Sequence, residues 1–146
     1  MARRIGFELR RLLDERKLIR IRRDRKLVVK EMEGARSDLE EARDSIKRKK
    51  FKWATIQGYY SMFHSARALV YSKGLREKSH YALLVALREL FMDELGKPLV
   101  DSFEEAMDLR QEADYGLRFS EVGAMDVVEN AKRFLNRTLK ILEPKR

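Results

Sequence analysis

Glycine and proline divide this chain into helix-length pieces, and that punctuation limits what it can fold into. After Gly6 they stand at Gly34, Gly58, Gly74, Gly96, Pro98, Gly116, Gly123 and Pro144. Between them, apolar residues recur three and four apart, the period of an amphipathic helix. No segment carries a convincing two-residue alternation, and no internal repeat or low-complexity tract is present. The spacing predicts an all-α fold: an antiparallel bundle of about five helices over residues 25–146, preceded by a short basic arm over residues 1–24.

The first bundle helix is expected from about Leu27 to Arg48. Val28, Met32, Ala35, Leu39, Ala42 and Ile46 form its buried stripe, and Glu31, Glu33, Arg36, Glu40, Glu41 and Arg43 its charged outer face. The second, from about Phe51 to Lys73, is apolar nearly all round, which marks a central helix. Its small residues Gly58, Ser61, Ser65, Ala66 and Ala68 let a neighbour approach closely, and Gly74 suits a C-terminal cap. The third follows Ser79 as N-cap and ends at Gly96-Lys97-Pro98. The fourth is expected to open at Ser102-Phe103-Glu104-Glu105, a capping-box pattern, and to stop at Gly116. The last follows Ser120 and carries Val122, Met125, Val128, Ala131, Leu135, Leu139 and Leu142. In the arm, Leu9, Leu12 and Leu13 make a helical stripe. The later Ile19-Arg20-Ile21-Arg22 alternates, so the arm stops being helical near Leu18.

A chain of 146 residues favours one domain and can bury a core without staples. It has no cysteine, which excludes disulfides and thiolate metal sites. No apolar run approaches the ~20 residues of a membrane span, and the basic start lacks the apolar core of a signal peptide. A cytoplasmic protein is expected. Charge adds more. Residues 1–30 hold twelve Lys/Arg against four Asp/Glu, while the other 116 hold 21 against 20. The net charge of +9 therefore belongs mostly to the arm. Arg10, Arg11, Arg20, Arg22 and Arg23, with the corner Lys47, Arg48, Lys49, Lys50 and Lys52, form a candidate nucleic-acid-binding surface. A solvated helix face is the plainer alternative. The arm contains no helix-turn-helix pattern.

Several common sites are absent from the sequence. There is no Gly-rich phosphate loop, no Gly-x-Ser-x-Gly and no His-Glu-x-x-His. The two histidines, His64 and His80, are sixteen residues apart and make a poor metal pair. No metal and no cofactor is expected. Two polar constellations remain. Tyr60, His64, Arg67 and Tyr71 lie three or four residues apart on one face of the central helix. In Leu109-Arg110-Gln111-Glu112-Ala113-Asp114-Tyr115-Gly116, Arg110 and Asp114 also share a face. A buried arginine needs a partner. Arg67 and Asp114 can supply an ordinary bridge between helices. Alternatively, the same groups line a cleft that binds a phosphate or activates a ribose hydroxyl.

The stretch Tyr59 to His80, YYSMFHSARALVYSKGLREKSH, followed by LRQEADYG, resembles the HEPN domain (higher eukaryotes and prokaryotes nucleotide-binding). It is most similar to small archaeal and bacterial members found beside a minimal nucleotidyltransferase, and the resemblance covers about residues 25–142. It implies a helical bundle that forms a two-fold homodimer, and action on RNA or partnership with a nucleotidyltransferase in a toxin–antitoxin pair. Ribonuclease members carry a polar residue, an arginine and a later histidine, and cut RNA without metal by 2′-hydroxyl attack across the dimer. Carried over, Arg110 matches the motif arginine and Asp108 loosely the polar position. The histidine has no match, because Tyr115 stands about where it would be. His80 lies too close to Arg76 to complete such a motif and reads as a helix-start residue.

That departure leaves two readings. One is a binding module: a homodimer with Tyr60, His64 and Arg67 at the cleft or dimer interface, taking a nucleotidyltransferase partner, a nucleotide or RNA. There the partner could place a nucleotide on Tyr115. The other is a metal-independent ribonuclease with Arg110, Asp114, Tyr115 and His64 as catalytic candidates. Histidine titrates near neutrality, whereas tyrosine, with a pKa of about 10, serves mainly as a donor.

Overall fold

The computed structural model describes residues 6–116 and 118–144. Within them lie six helices and one two-stranded ribbon: α1 (Phe7–Asp14), β1 (Leu18–Arg20), α2 (Arg25–Lys47), α3 (Phe51–Ser72), β2 (Leu75–Glu77), α4 (His80–Leu95), α5 (Lys97–Tyr115) and α6 (Glu121–Leu142). The fold is the expected all-α bundle, built around α3. Helices α2, α4, α5 and α6 all pack on α3, most extensively α2 and then α6.

Local chemistry sets most boundaries. Asp24, Ser79 and Ser120 cap α2, α4 and α6 by accepting the N–H of Lys26, Ala82 and Gly123. Gly74 and Gly96 take positive φ, 73° and 89°, where the chain leaves α3 and α4. Between Gly96 and Ser102 the structure departs from expectation. Helix α5 starts at Lys97, with Pro98 in its first turn, rather than at a capping box on Ser102. Proline is compatible with the first turn, where its missing N–H is not needed. Ser102 is inside the helix, and its hydroxyl donates to the carbonyl of Leu99.

The core is aromatic at its centre. Tyr59 of α3, Phe103 of α5 and Phe134 of α6 are fully buried, with ring centroids 5.7 Å apart for the first pair and 5.9 Å for the second. Each such side chain contributes roughly 1.5–3 kcal/mol by leaving water. A Cβ on Gly58 would come within 2.9 Å of Val127, so this glycine sets the close approach of α3 to α6. The Ser61 hydroxyl donates to the Ala35 carbonyl at 2.8 Å and ties α3 to α2.

The basic arm is not detached. Leu9 and Leu12 of α1 are buried, and α1 lies against α4. The chain then turns and forms β1, which pairs antiparallel with β2: Leu18 faces Glu77, Ile19 faces Arg76 and Arg20 faces Leu75. This ribbon was not expected, although its first strand falls in the alternating segment where the arm helix was expected to end. The first residues of the α6 stripe also differ, because Val122 and Met125 are exposed while Val128, Ala131 and Leu135 are buried.

Candidate functional site

Helix α3 carries two polar clusters on adjoining faces. The first centres on His64 and Arg67 and points toward α2. His64 Nδ1 lies 2.5 Å from Glu31 Oε2, and its Nε2 lies 3.3 Å from Asp38 Oδ2. The hydrogen bonds to Asp38 and then Glu31 raise the His64 pKa to about 9, so the ring is an imidazolium at neutral pH. Arg67 Nη1 lies 3.2 Å from Glu31 Oε1, and Nε lies 3.3 Å from Glu77 Oε2 on β2. Its Nη2 donates to the Tyr71 hydroxyl. Burial raises the Glu77 pKa, and the positive charge of Arg67 opposes that rise.

The second cluster centres on Arg110 of α5. This side chain is 7% exposed. Its guanidinium carbon lies 5.4 Å from the ring centroid of Tyr59 and 5.9 Å from those of Tyr60 and Tyr115. Its one acidic neighbour among the described residues is Asp114, whose Oδ2 stands 3.7 Å from Nη1, beyond hydrogen-bond reach. Its Nε has no hydrogen-bond partner. Three aromatic faces stabilise the cation in part, but they do not satisfy its N–H groups.

His80 completes this second cluster. It is the first residue of α4, as the sequence suggests, yet its ring also turns inward. It stacks on Phe63 at 4.9 Å and on Tyr59 at 5.7 Å, and its Nδ1 is hydrogen-bonded to the Tyr59 hydroxyl. Burial lowers its pKa, and the nearby charge of Arg110 lowers it further. A histidine and an arginine thus meet at Tyr59 although 30 positions separate them in the chain. No motif spacing reveals such a pair.

The structure sorts the remaining candidates. Tyr115 lies at Arg110 and is 78% exposed at the end of α5, and Tyr60, which helical spacing groups with His64 and Arg67, lies at Arg110 as well. Asp108, two residues before Arg110 on the same helix, is exposed. His64 and Arg67 instead face α2 and β2, and the bridge considered between Arg67 and Asp114 does not form. Glu31 and Glu77 take that role. Of the basic residues, Arg11 is paired with Glu8 and Glu15, and Arg48 with Asp44. Lys52 lies over the ring of Trp53 at 4.9 Å. Lys47, Lys49, Lys50 and Arg22 are exposed, and Arg23 edges a groove between α2 and the end of α6. Arg10 and Arg20 share a concavity with Arg16, whose φ of 59° marks the tight turn from α1 to β1.

A small helical bundle with an arginine held among tyrosines defines the class, and comparison with known proteins specifies it. The model of the HEPN domain matches residues 29–146, so the chain belongs to the HEPN family. It is 30% identical to a Methanocaldococcus jannaschii protein named "Putative toxin MJ0142", over 86% of this chain and 88% of that one. A second protein of that organism, "Putative toxin MJ0605", is 29% identical over 77% of this chain and 86% of its own. A Thermotoga maritima UPF0332 protein is 28% identical over 75% and 86%. No helix among the described residues is long and apolar enough to cross a membrane.

Proposed function

We propose that this chain is the HEPN component of a nucleotidyltransferase/HEPN pair of the toxin–antitoxin type, and that its Arg110 cleft binds a phosphate of RNA or of a nucleotide. The observation that carries this reading is the buried Arg110 cation, which no acidic group among the described residues neutralises at hydrogen-bond distance. A phosphate oxygen is a natural partner for such a guanidinium. The names of the relatives support the toxin context. Exposed Tyr115, Phe119, Val122 and Met125, where α5 ends and α6 begins, support a homodimer that covers them beside the cleft. Tyr115 is also an accessible acceptor for the partner. Its phenolic oxygen would form a bond to the α-phosphorus of a nucleoside triphosphate as pyrophosphate leaves, with the proton passing to a base of the partner.

Metal-independent RNA cleavage is the second reading. The arginines Arg10, Arg16 and Arg20 around one concavity favour it, because they would draw RNA phosphates toward the molecule. One experiment addresses both readings. Wild type and Arg110→Ala are mixed with single-stranded and structured RNA in EDTA, and both binding and cleavage are read. Binding without cleavage that depends on Arg110 supports the first reading. Cleavage lost in Arg110→Ala establishes the second. RNA binding and cleavage unchanged in Arg110→Ala remove Arg110 from the second reading and leave a nucleotide as its ligand in the first.

A further inference from the structure

The Arg110 cluster contains a hydrogen bond that fixes the protonation of a histidine. Tyr59 is fully buried, and among the described residues its hydroxyl meets only His80 Nδ1. The phenol stays protonated, because burial raises its pKa. A buried O–H proton without an acceptor is costly, so the hydroxyl must donate to Nδ1. Nδ1 then accepts, and a neutral imidazole must carry its proton on Nε2. Among the described residues no hydrogen bond to Nε2 is found, and Nε2 is not one of the fully buried atoms without a partner, so it is open to a ligand.

Two further features lie nearby. Arg110 and His80 both lie within 6 Å of the Tyr59 ring centroid. His80 also opens the 16-residue helix α4, whose N-terminus carries partial positive charge. A helix start alone would mean little, but here it is near a buried guanidinium whose Nε has no hydrogen-bond partner.

We propose that His80 is the second phosphate ligand of the Arg110 cleft: Tyr59 holds its proton on Nε2, and this N–H together with the Arg110 guanidinium grips one phosphate group of a nucleotide or an RNA strand. The proposal rests on the reading of the cleft as a phosphate site and adds its second ligand and the residue that orients it. Tyr59 is a positioning residue, because it acts only through His80. In this arrangement His80 is a donor, which suits holding a phosphate better than removing a proton from a hydroxyl.

The test uses the full chain with two probes, adenosine 5′-monophosphate and a short oligoribonucleotide, in EDTA. Imidazole nitrogen NMR reads the tautomer directly, with His64 as the internal control. His80 should carry its proton on Nε2 and respond to the probe, while His64 should not. Losing a hydrogen bond to a charged group lowers affinity by roughly ten- to a hundredfold, the loss expected for His80→Ala. His80→Gln places an amide N–H near the Nε2 position and should recover most of it. Tyr59→Phe should release the tautomer and weaken binding by about the worth of one neutral hydrogen bond, a few-fold. Binding of the oligonucleotide but not the monophosphate identifies RNA as the source of the phosphate, and the reverse identifies a free nucleotide. Binding that needs Arg110 but not His80 overturns this inference and leaves the proposed function standing, as does a proton found on Nδ1. If neither probe binds in an Arg110-dependent way, the cleft itself is not a phosphate site and both fall.

Discussion

The two histidines of this chain lie on neighbouring helices and have opposite surroundings. His64 sits between Glu31 and Asp38, which occupy both ring nitrogens and hold it charged. His80 sits between a buried tyrosine and the Arg110 cation, which favour the neutral ring, and one nitrogen is left over. Their arginines differ in the same way. Arg67 has two carboxylates within 3.3 Å, whereas the single acid near Arg110 stands at 3.7 Å and is half in solvent. One cluster answers its own charges and fastens α2 and β2 to α3, although Arg67 Nε and Glu77 Oε1 lack a well-formed hydrogen bond. The other leaves its guanidinium without a carboxylate at hydrogen-bond distance among the described residues. Burial and polarity are similar in both, so balance of charge is what separates a structural cluster from a candidate site.

Stability measurements can break that distinction, and the largest effect should come from the arginines. Arg67→Met leaves Glu77 partly buried without the Arg67 cation, and Glu31 with the His64 imidazolium alone. Breaking a buried ion pair by removing one partner costs about 3 kcal/mol or more. Arg110→Met removes a cation that lacks a close acidic partner, so the lost cation–π attraction is offset by the relief of desolvation. A change within about 1 kcal/mol is expected. Urea unfolding of the two variants gives the comparison. If Arg110→Met costs as much as Arg67→Met, the Arg110 cluster is structural.

The next effect is in pH. The folded pKa of His64, about 9, lies above the unfolded value near 6.5. Its contribution is therefore complete below about pH 6.5 and is lost as the pH rises through 9. A shift of this size corresponds to roughly 3 kcal/mol, and to somewhat less after solvent screening of the partly exposed ring. Wild type should lose stability across this range more steeply than His64→Gln, in which the ionising ring is absent. Parallel curves would mean that the carboxylates do not hold the imidazolium.

Gly34→Ala tests the same clamp more gently. A Cβ at Gly34 would stand 3.3 Å from the His64 ring, which Glu31 and Asp38 hold in place. Overpacking of about 1–3 kcal/mol is partly offset by the ~1 kcal/mol that alanine gains over glycine in a helix. A net loss near 1 kcal/mol is expected, together with a fall in the His64 pKa read by NMR. A stabilised variant with an unchanged pKa would show that the ring can move without losing its partners.

These contrasts explain what the sequence could reveal. Helix limits were legible wherever one residue type decides them, as at Ser79, Ser120 and Gly74. The start of α5 was not, because Pro98 reads as a breaker and Ser102 as a cap until the helix is seen to begin at Lys97. Arg110, Asp114 and Tyr115 were legible as one group because a single motif on one helix carries them, whereas helical spacing groups Tyr60 with His64, Arg67 and Tyr71, and its place at Arg110 exists only after folding. Arg67 was assigned the wrong acid for a physical reason. Glu31 belongs by period to the charged outer face of α2, yet its side chain is 13% exposed because α3 covers it. Glu77 sits on a three-residue strand too short to leave a pattern. His80 was legible as a helix start, which it is, but its link to Tyr59 and Arg110 exists only after folding.

The smallest predicted effect falls on that same residue and has the opposite sign to that of His64. Burial, assisted by Arg110, lowers the folded pKa of His80 below its unfolded value. As the pH falls below about 6.5, the unfolded chain takes up a proton that the folded chain refuses, and stability declines. His80→Gln removes this acid-side loss, so its stability curve should be shallower than that of the wild type between pH 6.5 and 5. A phosphate ligand should reduce the loss too, because its negative charge offsets Arg110 and lets the imidazole accept the proton. Phosphate-bearing probes should therefore flatten the acid limb in wild type and leave His80→Gln almost unchanged. An acid limb that ignores both the substitution and the probe would place His80 outside the electrostatic reach of Arg110, and the contrast between the two histidines would disappear.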